Sequence, residues 1–177
     1  ITAVEPNDAM RINGIKRTSA LQNIYWHEWT GEQTDQESYS FDMVTFGSSF
    51  NVCDRSKALK ESARILKPKG WFACMWNHLQ LENEIQSKIE AIIKNRVPDY
   101  SYGSRREDQT EIVDACEHFG PMVHLSSRVA HTQKISEYTD AWRSHATLAR
   151  QAGISFESVI EAIEAYLTSL NIDIINI

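Results

Sequence analysis

The chain has 177 residues, 42% of them hydrophobic, with a net charge of -6 and a pI near 5.5, which is enough apolar material for one packed core and rules out a linker. Its Lys and Arg are scattered among acids, and no apolar run approaches the ~20 residues of a membrane span, so neither nucleic acid nor a membrane is an expected partner. Ile1 to Arg11 lack a signal-peptide layout, and Cys53, Cys74 and Cys116 form no Cys-x-x-Cys pair, so a cytoplasmic protein with reduced cysteines and no metal is expected.

Ile1-Thr2-Ala3-Val4 is β-branched and apolar and reads as a strand; Glu5-Pro6-Asn7 stops it and supplies Asn7 as a helix cap. The helix that follows is weakly marked, because Asn13-Gly14 interrupts its apolar spacing. Asn23 to His27 is a second short strand, and the polar stretch Thr30 to Ser40 is a loop. Phe41 to Phe46 reads as a buried strand ending at the small residues Gly47-Ser48-Ser49, which would let a ligand approach the backbone. Asp54 caps a helix from Arg55 to Leu66, the turn Lys67-Pro68-Lys69-Gly70 ends it, and Trp71 to Trp76 is the next strand.

Ile85, Ile89, Ile92 and Ile93 form an apolar helical stripe that stops at Val97-Pro98. After a polar tract from Asp99 to Asp108, a shorter helix carries Ile112, Val113, Cys116 and Phe119, and Met122 to Leu125 reads as a strand. Ser136 is expected to cap one helix bearing Tyr138, Trp142, His145 and Ala149, ended by Gly153; Ser155 opens a last helix through Leu167, and Ile172 to Ile177 has strand character. Strands alternating with helices over short connections point to an α/β fold, a mostly parallel sheet with helices on both faces. One domain over 1–177 is expected, with 1–80 binding a cofactor, 81–121 a helical lid insertion, 122–177 the substrate side, and the chain incomplete at both ends.

Ligands of such sheets bind outside the carboxyl ends of the strands. Glu5, at a strand exit, suits a ribose, because a carboxylate accepts hydrogen bonds from both hydroxyls. Residues 1–10, His27-Glu28-Trp29-Thr30-Gly31-Glu32, residues 41–50 and Arg64-Ile65-Leu66-Lys67-Pro68-Lys69-Gly70-Trp71, in that order and spacing, resemble class I S-adenosylmethionine-dependent methyltransferases. The nearest look is the small-molecule branch that includes trans-aconitate methyltransferase-like proteins. The resemblance covers Ile1 to Asn77 well and the rest loosely. It implies a Rossmann-like fold, S-adenosylmethionine as cofactor and in-line methyl transfer to an O- or N-nucleophile of a small molecule.

By the same resemblance Glu5 holds the ribose, Pro6 and Met10 line the adenine side, Trp26, His27 and Glu28 form the other adenine wall, and Gly47 and Ser48 face the methionine portion. The chain departs from the family in three places. The first strand with its glycine-rich turn has no counterpart; Asn51-Val52-Cys53-Asp54 stands where relatives often have His-Trp-Phe-Asp; and Lys69 stands where a glycine is common. His78, after a strand, and His145, among aromatics, are candidate bases; His131 and Asp54 are lesser ones. Tyr102, Arg105 and Arg106 are candidate acceptor contacts, the arginines suiting a carboxylate, and Trp142 is a candidate pocket wall. Two rivals remain: an NAD(P)-dependent oxidoreductase domain, and a non-catalytic binding subunit with the methyltransferase fold.

Overall fold

The computed structural model describes residues 1–78, 83–102 and 107–176. They divide into two compact units, one of residues 1–77 and 107–123, the other of 78–106 and 124–177.

In the first unit β1 (Thr2–Val4) pairs in parallel with β2 (Tyr25–His27). Helix α1 (Asp8–Arg17) connects them, and the Asn7 side chain accepts the Met10 N–H at its start, as the sequence leads one to expect. The interruption at Gly14 has a packing reason. A Cβ there would lie 2.2 Å from Trp26 Cη2, so the indole rests directly on the helix backbone. Trp26 Nε1 also donates to Thr18 Oγ1 at 3.0 Å, holding the ring across the last turns of α1.

A second parallel pair joins β3 (Phe41–Gly47) to β4 (Leu66–Met75). Helix α2 (Arg55–Ile65) crosses between them, capped by Asp54, which accepts the Lys57 N–H. The expected turn at residues 67–70 lies inside β4 rather than before it. Phe41 pairs with Leu66 and Met43 already with Trp71, so four residues bulge out opposite Asp42. Lys69 takes a positive φ of 68° there, and a Cβ on Gly70 would come within 2.9 Å of the Lys67 carbonyl. Lys67 Nζ bonds Asp42 Oδ1 at 2.9 Å across the bulge.

Alternation along this pair sends Val44, Phe46, Phe72 and Cys74 to one face, where Phe50, Ala58, Leu59 and Val113 complete a core. Phe50 meets Phe46 and Phe72 edge to face, at centroid distances of 5.6 and 5.4 Å. Met43, Trp71 and Met75 belong to the opposite face and are exposed. Val113 comes from α4 (Thr110–Asp114), which is shorter than its apolar spacing promised: beyond Asp114 the chain continues in turns to Phe119.

The second unit is helical. Helices α3 (Glu84–Arg96), α5 (Ile135–Arg143), α6 (Ala146–Ala152) and α7 (Phe156–Ser169) enclose Ile89, Ile93, Leu148, Val159, Ile160, Ile163 and Leu167. Asn83 caps α3 through its Oδ1, and the isoleucine stripe ends at Val97 as its spacing requires.

Three sequence expectations fail here. Met122 to Leu125 form no strand; the segment is exposed, and an apolar run becomes a strand only where an edge accepts it. Instead β5 (Thr132–Lys134) pairs antiparallel with β6 (Ile174–Asn176), leading the chain into α5 so early that Lys134 takes the cap position expected of Ser136. The expected single helix from Ser136 to Ala149 breaks at Ser144, because His145 starts α6: its Nδ1 accepts the Leu148 N–H at 3.1 Å. Gly153, at φ 53°, ends α6 as expected.

Candidate cofactor site at the strand exits

The carboxyl ends of β1 and β2 lie side by side, since Val4 pairs with His27 and the Glu5 N–H donates to the His27 carbonyl at 3.0 Å. This brings Glu5, Pro6, His27 and Glu28 to one edge. The Glu5 side chain is half-buried, and its Oε1 accepts the Asn7 N–H at 2.9 Å. That bond holds the carboxylate still while Oε2 keeps its lone pairs for another donor.

Arg11 braces this edge, a role with no signal in the sequence beyond a basic residue on a capped helix. Its guanidinium, 15% exposed, donates to the Glu5 carbonyl at 2.8 Å and to Asp8 at 2.5 Å, and lies 3.6 Å from the Glu28 carboxylate. Glu28 is thereby drawn toward α1. Pro6 and Met10 are exposed beside the same edge. Trp26 lies one residue before the exit, its ring packed on Gly14.

At the other exit Gly47 closes β3 opposite Met75 of β4. Among the described residues a Cβ on Gly47 would meet nothing within 4 Å, so the backbone there is open to approach. Ser48 follows in the left-handed region at φ 53°, its N–H donating to the Met75 carbonyl at 2.9 Å. The two exits are joined through Gly31. A Cβ on that glycine would stand 2.7 Å from Phe46 Cε1 and 3.2 Å from Cys53 Sγ, so the segment leaving β2 is laid against the end of β3. Burial and the Glu32 charge push the Cys53 thiol up to about 11.

The remaining candidates lie in the second unit or beyond the described residues. His78 is exposed after β4. His145 is the α6 cap just described, with its ring stacked on Trp142 at 5.3 Å, which gives both residues a structural duty. Trp142 is 3% exposed within the helical core, so it walls no open pocket there. Tyr102 packs on that core edge to face with Tyr100. Arg105 and Arg106 lie outside the described residues. Tyr138, whose hydroxyl donates to Gln86 Oε1 at 2.7 Å, has its phenol pushed up by burial. Among the described residues no His, Cys, Asp and Glu gather in a group that could hold a metal, and no helix is long and apolar enough to cross a membrane.

Comparison with known proteins bears on the first unit. Residues 1–74 match the family model described as a methyltransferase domain. A ubiquinone/menaquinone biosynthesis C-methyltransferase from Rickettsia akari is 37% identical over 79 residues, and a demethylmenaquinone methyltransferase from Staphylococcus aureus 33% identical over 76. Each alignment takes in 42% of this chain and 32% of the relative, so the chain spans about a third of the length of the curated relatives it matches. A solved structure, a proposed type II methyltransferase from Anaeromyxobacter dehalogenans, superposes with a TM-score of 0.54 at 14% identity, covering 94% of this chain and 71% of that one. The likeness to it is one of fold. Over residues 1–74 the chain is similar in sequence to methyltransferase domains, and along most of its length it shares the fold of a solved methyltransferase structure.

Proposed function

We propose that the protein binds S-adenosylmethionine at the strand exits and transfers its methyl group to a small-molecule acceptor. The observation that carries this reading is the Glu5 carboxylate, fixed at the end of β1 by the Asn7 N–H with its second oxygen available to a ribose. The residues present fit the group on two counts. Glu5 and the β2 exit offer acceptors to a sugar, and the backbone at Gly47, with open space where a Cβ would be, admits a close ligand. Pro6, Met10, His27 and Glu28 would flank the base, and Ser48 the amino-acid portion.

When bound, the cofactor supplies an activated sulfonium methyl, so the chain has little side-chain chemistry to perform. Its own residues bind and orient: Glu5 holds the sugar, the Arg11 brace keeps the exit of β1 and Glu28 in register, and Gly31 fixes the β2 exit against β3. A base is needed only where the acceptor loses a proton. The curated relatives are named as C-methyltransferases of quinone biosynthesis or demethylmenaquinone methyltransferases, so methylation at carbon stands beside the O- and N-nucleophiles expected from the sequence. The test is a binding comparison on the intact protein. It should bind S-adenosylhomocysteine and leave NADH unbound; the reverse preference would install the oxidoreductase reading instead.

A further inference from the structure

We infer that Glu32 is a positioning residue for the cofactor site, fastening the segment that leaves β2 to the start of helix α2. This inference rests on the cofactor reading above. Residues 28–32 run from the proposed adenine wall onto the end of β3, a stretch whose φ and ψ are set by no regular ladder beyond the Thr30 and Gln33 bridge. Such a segment holds a ligand only if something else fixes it. Two contacts do so. Gly31 is pressed onto Phe46 and Cys53 so closely that no side chain fits. Next to it Glu32 Oε1 accepts the backbone N–H of Asp54, 22 residues on, at 2.8 Å.

The chemistry at that point favours a carboxylate. Asp54 is the N-cap of α2, and its own side chain is taken by the Lys57 N–H. Its backbone N–H therefore needs an outside acceptor, and the positive end of the helix dipole strengthens the bond to an anion. The connection continues on the same helix. Glu61, 11% exposed, accepts the Thr34 N–H at 2.9 Å and hydroxyl at 2.5 Å, and Arg64 reaches the Gln36 carbonyl at 2.7 Å and Ser38 Oγ at 3.1 Å. Helix α2 is thus the plate against which the whole crossover from β2 to β3 is mounted, and Glu32 is the fastening nearest the site.

The experiment is titration of the intact protein, and of its Glu32→Ala and Glu32→Gln variants, with S-adenosylhomocysteine, each variant's unfolding being followed in parallel. Loss of the fastening should weaken binding about five- to tenfold in Glu32→Ala. Glu32→Gln, whose amide oxygen still accepts from Asp54, should recover most of the affinity. Equal affinity in Glu32→Ala and the unaltered protein, or a glutamine variant as weak as the alanine one at matched stability, would overturn the inference while leaving the cofactor site standing. An unaltered protein that failed to bind would instead remove the reading on which it rests.

Discussion

Replacing Gly14 by Ala sets two effects of opposite sign against each other. In the middle of an exposed helix, Ala is favoured over Gly by about 1 kcal/mol. At this position the new Cβ would stand 2.2, 2.4 and 2.7 Å from three carbons of the Trp26 ring, against an ordinary contact of about 3.5–4.0 Å. The indole must move by more than an ångström, and its hydrogen bond to Thr18, worth about 1 kcal/mol, would be strained or lost. Overpacking adds roughly 1–3 kcal/mol. The balance is a net destabilisation of about 1–3 kcal/mol, read as a shift in the urea midpoint by circular dichroism. In a Trp26→Ala background the obstruction is gone, and the same change should stabilise by up to about 1 kcal/mol. A Gly14→Ala protein more stable than the unaltered one would refute the packing of Trp26 on α1.

Acid unfolding and thiol chemistry supply two further checks. Hydrogen bonds from Arg64 and Thr34 outweigh burial and pull the Glu61 carboxyl down to about 2 from an ordinary 4.5. Its folded value lies below its unfolded one, so it contributes stability fully above pH 4.5 and loses it as the pH falls toward 2. Glu61→Gln should flatten this acid limb, by about 2 kcal/mol once the exposure of Arg64 is allowed for; an acid limb unchanged in that variant would count against the clasp. Cys53, pushed up to about 11, should alkylate at pH 8 roughly a hundredfold more slowly than a free thiol, and mass spectrometry showing it among the first labelled would contradict its burial beneath Gly31.

Where local signals were strong, the sequence could be read directly. Asn7 and Asp54 cap the helices they precede, and the isoleucines from Ile85 to Ile93 mark α3, because capping and periodicity act within a turn or two. Glu5 and Gly47 stand at strand exits for a similar reason: strands of apolar residues ending abruptly in an acid or a glycine are local patterns. What the residues did not disclose depends on distant partners. Gly14 looks like a weak point in a helix until Trp26 is placed on it. Arg11 and Glu32 are unremarkable surface charges until the chain folds back to bring the Glu5 carbonyl and the Asp54 N–H to them. Thr132 to Lys134 offers little apolar pattern and becomes a strand only because Ile174 to Asn176 lies alongside, whereas Met122 to Leu125, better patterned, finds no edge.

The most direct measurement of the proposed site is calorimetric titration of the intact protein and its Glu5→Ala variant with S-adenosylhomocysteine. Removing a carboxylate that accepts from the ribose should cost roughly 1.5–3 kcal/mol, about a tenfold to hundredfold loss of affinity, with unfolding little changed. A Glu5→Ala protein that binds as tightly as the unaltered one would place the sugar elsewhere and contradict the account.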